Sequence, residues 1–175
     1  MREKETRLGN IRQEVRGLEF PGWREINIPP HAGGEDLMNR IRGSGMHVER
    51  WAEGLFRAAT IEPRTSPIKR HMGRISNQQL GLVSPTVPII ETKKAGRSQG
   101  LQFLTREDIL ALRLSYTDQP PEWMRVAMDT YVDEDGSWLD LAIVNDGVRR
   151  DIRTTWAFEQ NLYQPRHEWF WVLPE

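Results

Sequence analysis

The chain has 175 residues, 38% hydrophobic and 28% charged, with seven Trp and no Cys. That length suits one domain with a modest core, and the lack of cysteine excludes disulfides, thiolate metal sites and a cysteine nucleophile. The net charge of −1 conceals a division: residues 1–100 hold 17 Lys and Arg against 11 Asp and Glu, while residues 101–175 hold 7 against 14. Such a split predicts that the basic half meets something anionic, either a partner or the acidic half of this chain or of a second copy.

The opening segment Arg2–Glu19 mixes both signs and carries Ile11, Val15 and Leu18 at helical spacing, which predicts a frayed helix or an arm. Met1–Asn10 lacks the apolar run of a signal peptide, and no apolar stretch is long enough to span a bilayer. The expected setting is therefore cytoplasmic or within a virion, with no signal peptide and no membrane partner. Pro29 and Pro30 force an extended segment after Ile26. Glu35–Ile41 reads as a short helix closed by Gly43-Ser44-Gly45. His47–Ala59 reads as a second, with Val48, Trp51, Leu55 and Ala59 on a core-facing stripe.

Residues 61–100 differ in kind. They contain no aromatic residue, four prolines and four glycines, and seven cations (Arg64, Lys69, Arg70, Arg74, Lys93, Lys94, Arg97) against Glu62 and Glu91. This composition predicts an extended basic arm or linker ordered by a partner, with at most an edge strand over Val83–Ile90. The seven cations are the candidate contacts for nucleic acid or for a neighbouring subunit.

Regular structure resumes at Phe103. Thr105 and Asp108 form a short-armed capping box for a helix reaching about Ser115. From Trp123 the period becomes two, with Met124, Val126, Met128, Thr130 and Val132 on one face. Asp133–Gly136 and Asn145–Gly147 are hairpin turns. They frame a strand with Leu139, Leu141 and Ile143 inward, and open a third with Val148, Ile152 and Trp156 inward. Glu168–Leu173 is a last strand. The expected organisation is an N-terminal arm with short helices (1–60), the basic arm (61–100) and an α+β body (101–175). The expected fold class is α+β: an antiparallel β-meander of about four strands over residues 122–173, packed on one or two helices, with a long irregular N-terminal and central arm.

Motifs with chemistry are few. If the acidic cluster Asp133, Glu134, Asp135, Asp140 and Asp146 were a calcium loop with Gly136 at its glycine position, its end ligands would be Tyr131 and Ala142. A solvated turn is the better account. The four histidines form no metal-ligand spacing, and no nucleophile elbow or phosphate-binding glycine loop occurs. Ile89-Ile90-Glu91-Thr92-Lys93 resembles the core of the PD-(D/E)xK-type nucleases. The resemblance implies a strand with Glu91 holding Mg²⁺ and Lys93 steadying the attacking water, both on one strand face. It covers only these five residues. The family's preceding Asp has no counterpart, since Asp36 lacks a preceding Pro and falls in an expected helix.

These features predict a non-enzymatic structural or interaction protein of a larger assembly, of the viral or phage accessory type. It needs no cofactor and contacts protein subunits, itself among them, or nucleic acid through the basic arm. The alternatives are a metal-dependent nuclease using Glu91 and Lys93, and a nucleic-acid-binding accessory protein.

Overall fold

The computed structural model describes residues 12–15, 18–158 and 161–174. Arg12–Val15 (β1) and Leu18–Pro21 (β2) pair as an antiparallel hairpin. Then follow Arg24–Ile28 (β3), helix Gly34–Gly43 (α1), His47–Val48 (β4), helix Arg50–Arg57 (α2), Ile68–Ser76 (β5), Val87–Pro88 (β6) and helix Ile89–Ser98 (α3). Helix Arg106–Ser115 (α4) leads into Glu122–Val126 (β7), Tyr131–Val132 (β8), Trp138–Asn145 (β9), Arg150–Trp156 (β10), Leu162–Tyr163 (β11) and Glu168–Val172 (β12). Most strands join one mixed sheet in the order β3-β5-β12-β7-β9-β10-β4, with β8 added at one end of β9.

This architecture overturns the expected four-stranded meander. Of the strands expected in the meander, β7, β9 and β10 pair in antiparallel succession, whereas β12 runs parallel to β7 and lies between it and β5. The long irregular central arm is also absent: β5 pairs with β12 over Met72–Ser76 and with β3 over Ile68–Met72, inside the sheet. The reason lies in β5 itself, where Met72, Gly73 and Ile75 are buried while Lys69, Arg70 and Arg74 carry their charges to ion-pair partners. Pairing hides a strand whose composition reads as a solvated tract.

Both sheet faces are covered. Helices α1, α2 and α4 supply Leu37, Met38, Ile41, Leu55, Phe56, Ile109 and Leu112 to a core that includes Ile26, Met72, Val126, Ile143 and Phe170. On the opposite face Ile75, Trp169, Trp171 and Leu173 pack with Phe20, Leu80, Leu101 and Ile89 of α3. Double coverage explains why Leu139–Val144 and Trp169–Val172 are buried without alternation. Helix α3 buries Ile89, Thr92, Lys93 and Gly96, an i, i+3, i+4, i+7 stripe in which only one member is a large apolar residue. A Cβ on Gly96 would lie 2.2 Å from the Trp171 ring, so glycine is what lets α3 approach the sheet.

Other expectations change locally. The described part of Arg2–Glu19 is strand and not helix; the remainder lies outside the described residues. His47 and Val48 form a strand along β10, so α2 starts at Arg50 and buries Ala52, Leu55 and Phe56, turning Trp51 outward. Val148 and Trp156 are exposed, whereas Ile152 is inward as expected. The capping box forms as read: Thr105 Oγ1 accepts from the Asp108 N–H at 3.1 Å, and the Thr105 N–H donates to Asp108 at 2.8 Å. No described helix is long and apolar enough to cross a membrane.

Candidate functional site

The seven cations of residues 61–100 do not gather into one surface. Arg64 makes a two-pronged bond to Glu107 at 2.8 and 3.0 Å, and Arg74 binds Glu122 and Glu168 at 3.0 and 2.7 Å. Arg70 lies 3.4 Å from Asp108, and Lys69 lies 2.7 Å from Glu25. Lys93 is buried against Asp140, 2.7 Å away, and donates to Thr130 at 2.6 Å. Burial holds the Lys93 amine below its ordinary range, with Asp140 opposing that shift. Arg97 sits over the Phe103 ring at 5.1 Å, and Lys94 is exposed. Four of these seven cations, Arg64, Arg70, Arg74 and Lys93, are thus paired with carboxylates of residues 101–175, and Lys69 with one of the basic half. Glu91 and Lys93 are not brought together: both lie on α3, where Glu91 faces solvent and Lys93 faces the sheet. Residues two apart on a helix point about 200° apart, so the strand geometry of the nuclease core is not formed.

The acidic half supplies a different feature. Two exposed tryptophans, Trp51 of α2 and Trp156 at the end of β10, line one cavity. Trp51 is 61% exposed and Trp156 is 55% exposed; Trp138 and Phe158 are also exposed. Trp156 and Phe158 stack with ring centroids 5.5 Å apart and planes 6° from parallel. Two cavities share Trp51, Asp133, Asp135 and Leu139. One, of about 370 Å³, adds Glu49, Ser137 and Thr154–Trp156; the other, of about 260 Å³, adds Gly54, Leu55, Ala58, Tyr131 and Glu134. Together they form a groove with an aromatic and aliphatic floor, four carboxylates and, among the described lining residues, no Lys or Arg.

Local geometry fixes the groove. Asp133 Oδ1 accepts from the Asp135 and Ser137 N–H groups at 3.0 and 2.7 Å, tying the turn that Gly136 completes at φ 78°. Glu49 precedes α2 and gives its backbone carbonyl to the Glu53 N–H at 2.8 Å. Its side chain crosses to β10, where one carboxylate oxygen accepts from the Thr154 N–H at 2.7 Å and the Thr154 hydroxyl at 2.8 Å. Trp51 follows two residues later on the first turn of α2 and lines the same cavity as Trp156.

Comparison with protein-family models, curated proteins and solved structures finds no match.

A larger cleft of about 480 Å³ lies between residues 59–64, the start of α4 and residues 128–132. Two of its charges, Arg64 and Glu107, are engaged with each other within the fold. Glu107 binds Arg64 and also His31, whose Nε2 lies 2.6 Å from Oε1. His31 Nδ1 accepts from the Gly33 N–H at 3.1 Å, which places the ring proton on Nε2 and makes it the donor to Glu107. This constellation ties the His31–Arg64 bridge to α4. No group of three or more His, Asp or Glu among the described residues is arranged to hold a metal.

The groove residues were not legible as a site. Trp51 and Trp156 sit at positions whose spacing reads as core, and Asp133 and Asp135 read as an ordinary turn. The signal that marks Trp51 as outward is its immediate company: Glu49, Arg50 and Glu53 surround it, which suits the first turn of a helix at the surface.

Proposed function

We propose that this chain is a non-enzymatic interaction component of a larger assembly, and that the acidic aromatic groove is its contact surface for a protein partner. The observation that carries this reading is the pair of exposed tryptophans Trp51 and Trp156 lining one cavity, with Phe158 stacked on Trp156. Large aromatics are enriched at contact surfaces because each offers much apolar area with few rotatable bonds. The carboxylates around them favour a partner with positive charge over nucleic acid. The basic residues that a nucleic-acid contact needs are mostly bound to carboxylates of this same chain. The link to viral or phage particles rests on a long unfolded arm, and with residues 68–76 inside the sheet that support is gone.

The test is an array of short peptides of varied sequence, probed with the purified chain and with a Trp51→Ala, Trp156→Ala double variant. The reading predicts that some peptides retain the parent protein and lose the variant. Equal retention of both proteins, or retention of neither, overturns it. Circular dichroism confirms that the variant folds, as expected for two residues that are more than half exposed.

A further inference from the structure

The groove contains an unfinished strand edge. Strand β4 runs parallel to β10, pairing His47 with Asp151 and Val48 with Ile152, and then stops. The Ala157 N–H donates to the Trp138 carbonyl at 2.8 Å, and the Asp146 N–H donates to the Arg149 carbonyl at 3.2 Å. This register turns the odd-numbered backbone groups of β10 toward β9 and the even-numbered ones outward. The outward Ile152 carbonyl accepts from the Glu49 N–H at 2.9 Å. The next outward group, the Thr154 N–H, would meet the Glu49 carbonyl in a continued parallel ladder, but that carbonyl is committed to α2. The Glu49 carboxylate takes its place. Further along, the Trp156 carbonyl accepts from Asn161 Nδ2 at 2.7 Å and from Arg125 at 3.3 Å. Two outward groups are left, the Thr154 carbonyl and the Trp156 N–H, and no described residue bonds to either.

A carbonyl and an N–H two residues apart on one strand are the pair that a single residue of a parallel neighbour engages, donating to the first and accepting from the second. An antiparallel neighbour needs both groups of one residue, and at Thr154 and Trp156 one of each is already used. The edge therefore admits a parallel rung and does not offer an antiparallel one. That rung opens onto the cavity between Trp51 and Trp156, bordered by Glu49, Asp133 and Asp135.

We infer that the groove takes an extended, arginine-bearing peptide segment of a partner, which adds in parallel to β10 at Thr154–Trp156 and seats a guanidinium between Trp51 and Trp156. This deepens the interaction reading and rests on it. Main-chain bonding supplies the docking mode, and the flanking side chain supplies selection. Arginine fits better than lysine because its planar, weakly hydrated cation stacks on an indole face while its N–H groups reach carboxylates. Glu49 has a double part: it finishes the ladder of β4 and contributes negative charge to the pocket.

The probe is an acetylated, amidated peptide of alternating Val and Arg. Its comparators are the same peptide with Gln or with Glu for Arg, and a version N-methylated on its backbone. Binding is read by tryptophan fluorescence, and the Trp156 amide by hydrogen exchange. The Val-Arg peptide should bind, slow exchange of the Trp156 N–H, and weaken as salt is raised. Replacing Arg by Gln, N-methylating the backbone, or introducing Trp51→Ala should each weaken it roughly tenfold or more. Binding by the Gln or Glu peptide as tight as by the Arg peptide overturns the inference, as does an unprotected Trp156 amide or failure of the Val-Arg peptide to bind. If array peptides still depend on Trp51 and Trp156 in that event, the interaction reading survives and only the cationic parallel strand is refuted. If the array also fails, both fall.

Discussion

Replacing Gly96 by Ala tests whether residues 89–98 are seated on the sheet. A Cβ there would meet three atoms of the Trp171 ring at 2.2, 2.5 and 2.6 Å. Carbon atoms rest at about 3.5–4.0 Å, so each contact is about 1 Å or more too short. Trp171 is fully buried and cannot swing aside, so α3 must lift or the ring must leave its rotamer. Overpacking of this kind costs about 1–3 kcal/mol, occasionally more, whereas alanine in a helix gains up to about 1 kcal/mol over glycine. The overlap involves three ring atoms, which puts the net loss near 2 kcal/mol, the upper part of that range. With a denaturant dependence of about 2 kcal/mol per molar urea, the midpoint falls by about 1 M. Gly54→Ala is the control: Gly54 lies within α2, and a Cβ there meets nothing within 4 Å. It should raise stability by about 0.5–1 kcal/mol. Urea unfolding followed by circular dichroism reads both. If Gly96→Ala is as stable as the parent or more so, α3 does not rest on Trp171 and the placement of residues 89–98 is wrong.

Three further outcomes follow. Asp140→Asn should cost about 3–5 kcal/mol by leaving the Lys93 amine buried without its counter-charge, and the Lys93→Met, Asp140→Leu pair should cost less than either single change; an additive double-mutant cycle would contradict this. Bonds from Arg64 first, then from His31, hold the Glu107 carboxyl below its ordinary range. Its stabilising contribution is therefore present above the unfolded-state pKa of glutamate and lost as pH falls through the lower folded value. Glu107→Gln should accordingly flatten the acid limb of the stability profile, and an unchanged limb would refute that assignment. Trypsin should cut at Lys69, Arg70, Arg74 and Lys93 only as fast as the whole molecule unfolds, because three lie on an interior strand and the fourth is buried. Early cleavage there would restore the arm.

What the sequence discloses is local, and what it conceals is long-range. The capping box at Thr105 and Asp108 and the turns at Asp133–Gly136 and Asn145–Gly147 follow from side chains that bond their own backbone neighbourhood, and all are formed. Strand β5 escapes detection because its charges find partners 38 to 94 residues away, from Arg70 with Asp108 to Arg74 with Glu168, and no local pattern encodes that pairing. Helix α3 escapes because its buried stripe is built of Thr92, Lys93 and Gly96, each matched to one specific neighbour: Asn77, Asp140 and Trp171. The parallel placement of β12 beside β7 needs the whole chain, since the two strands are distant in sequence. The division of charge is plainly visible and pairing within the chain is one reading of it, but which residues pair is not legible. Trp51 is misread because two residues of strand at His47 and Val48 move the helix start and change which face is inward.

The groove reading is tested most directly by mapping amide chemical-shift changes when the isotopically labelled chain meets a peptide retained on the array. The account predicts changes confined to Glu49–Trp51, Asp133–Leu139 and Thr154–Trp156. Changes centred instead on the cleft of Arg64, Arg106 and Glu107, or on Trp123 and His167, would contradict it.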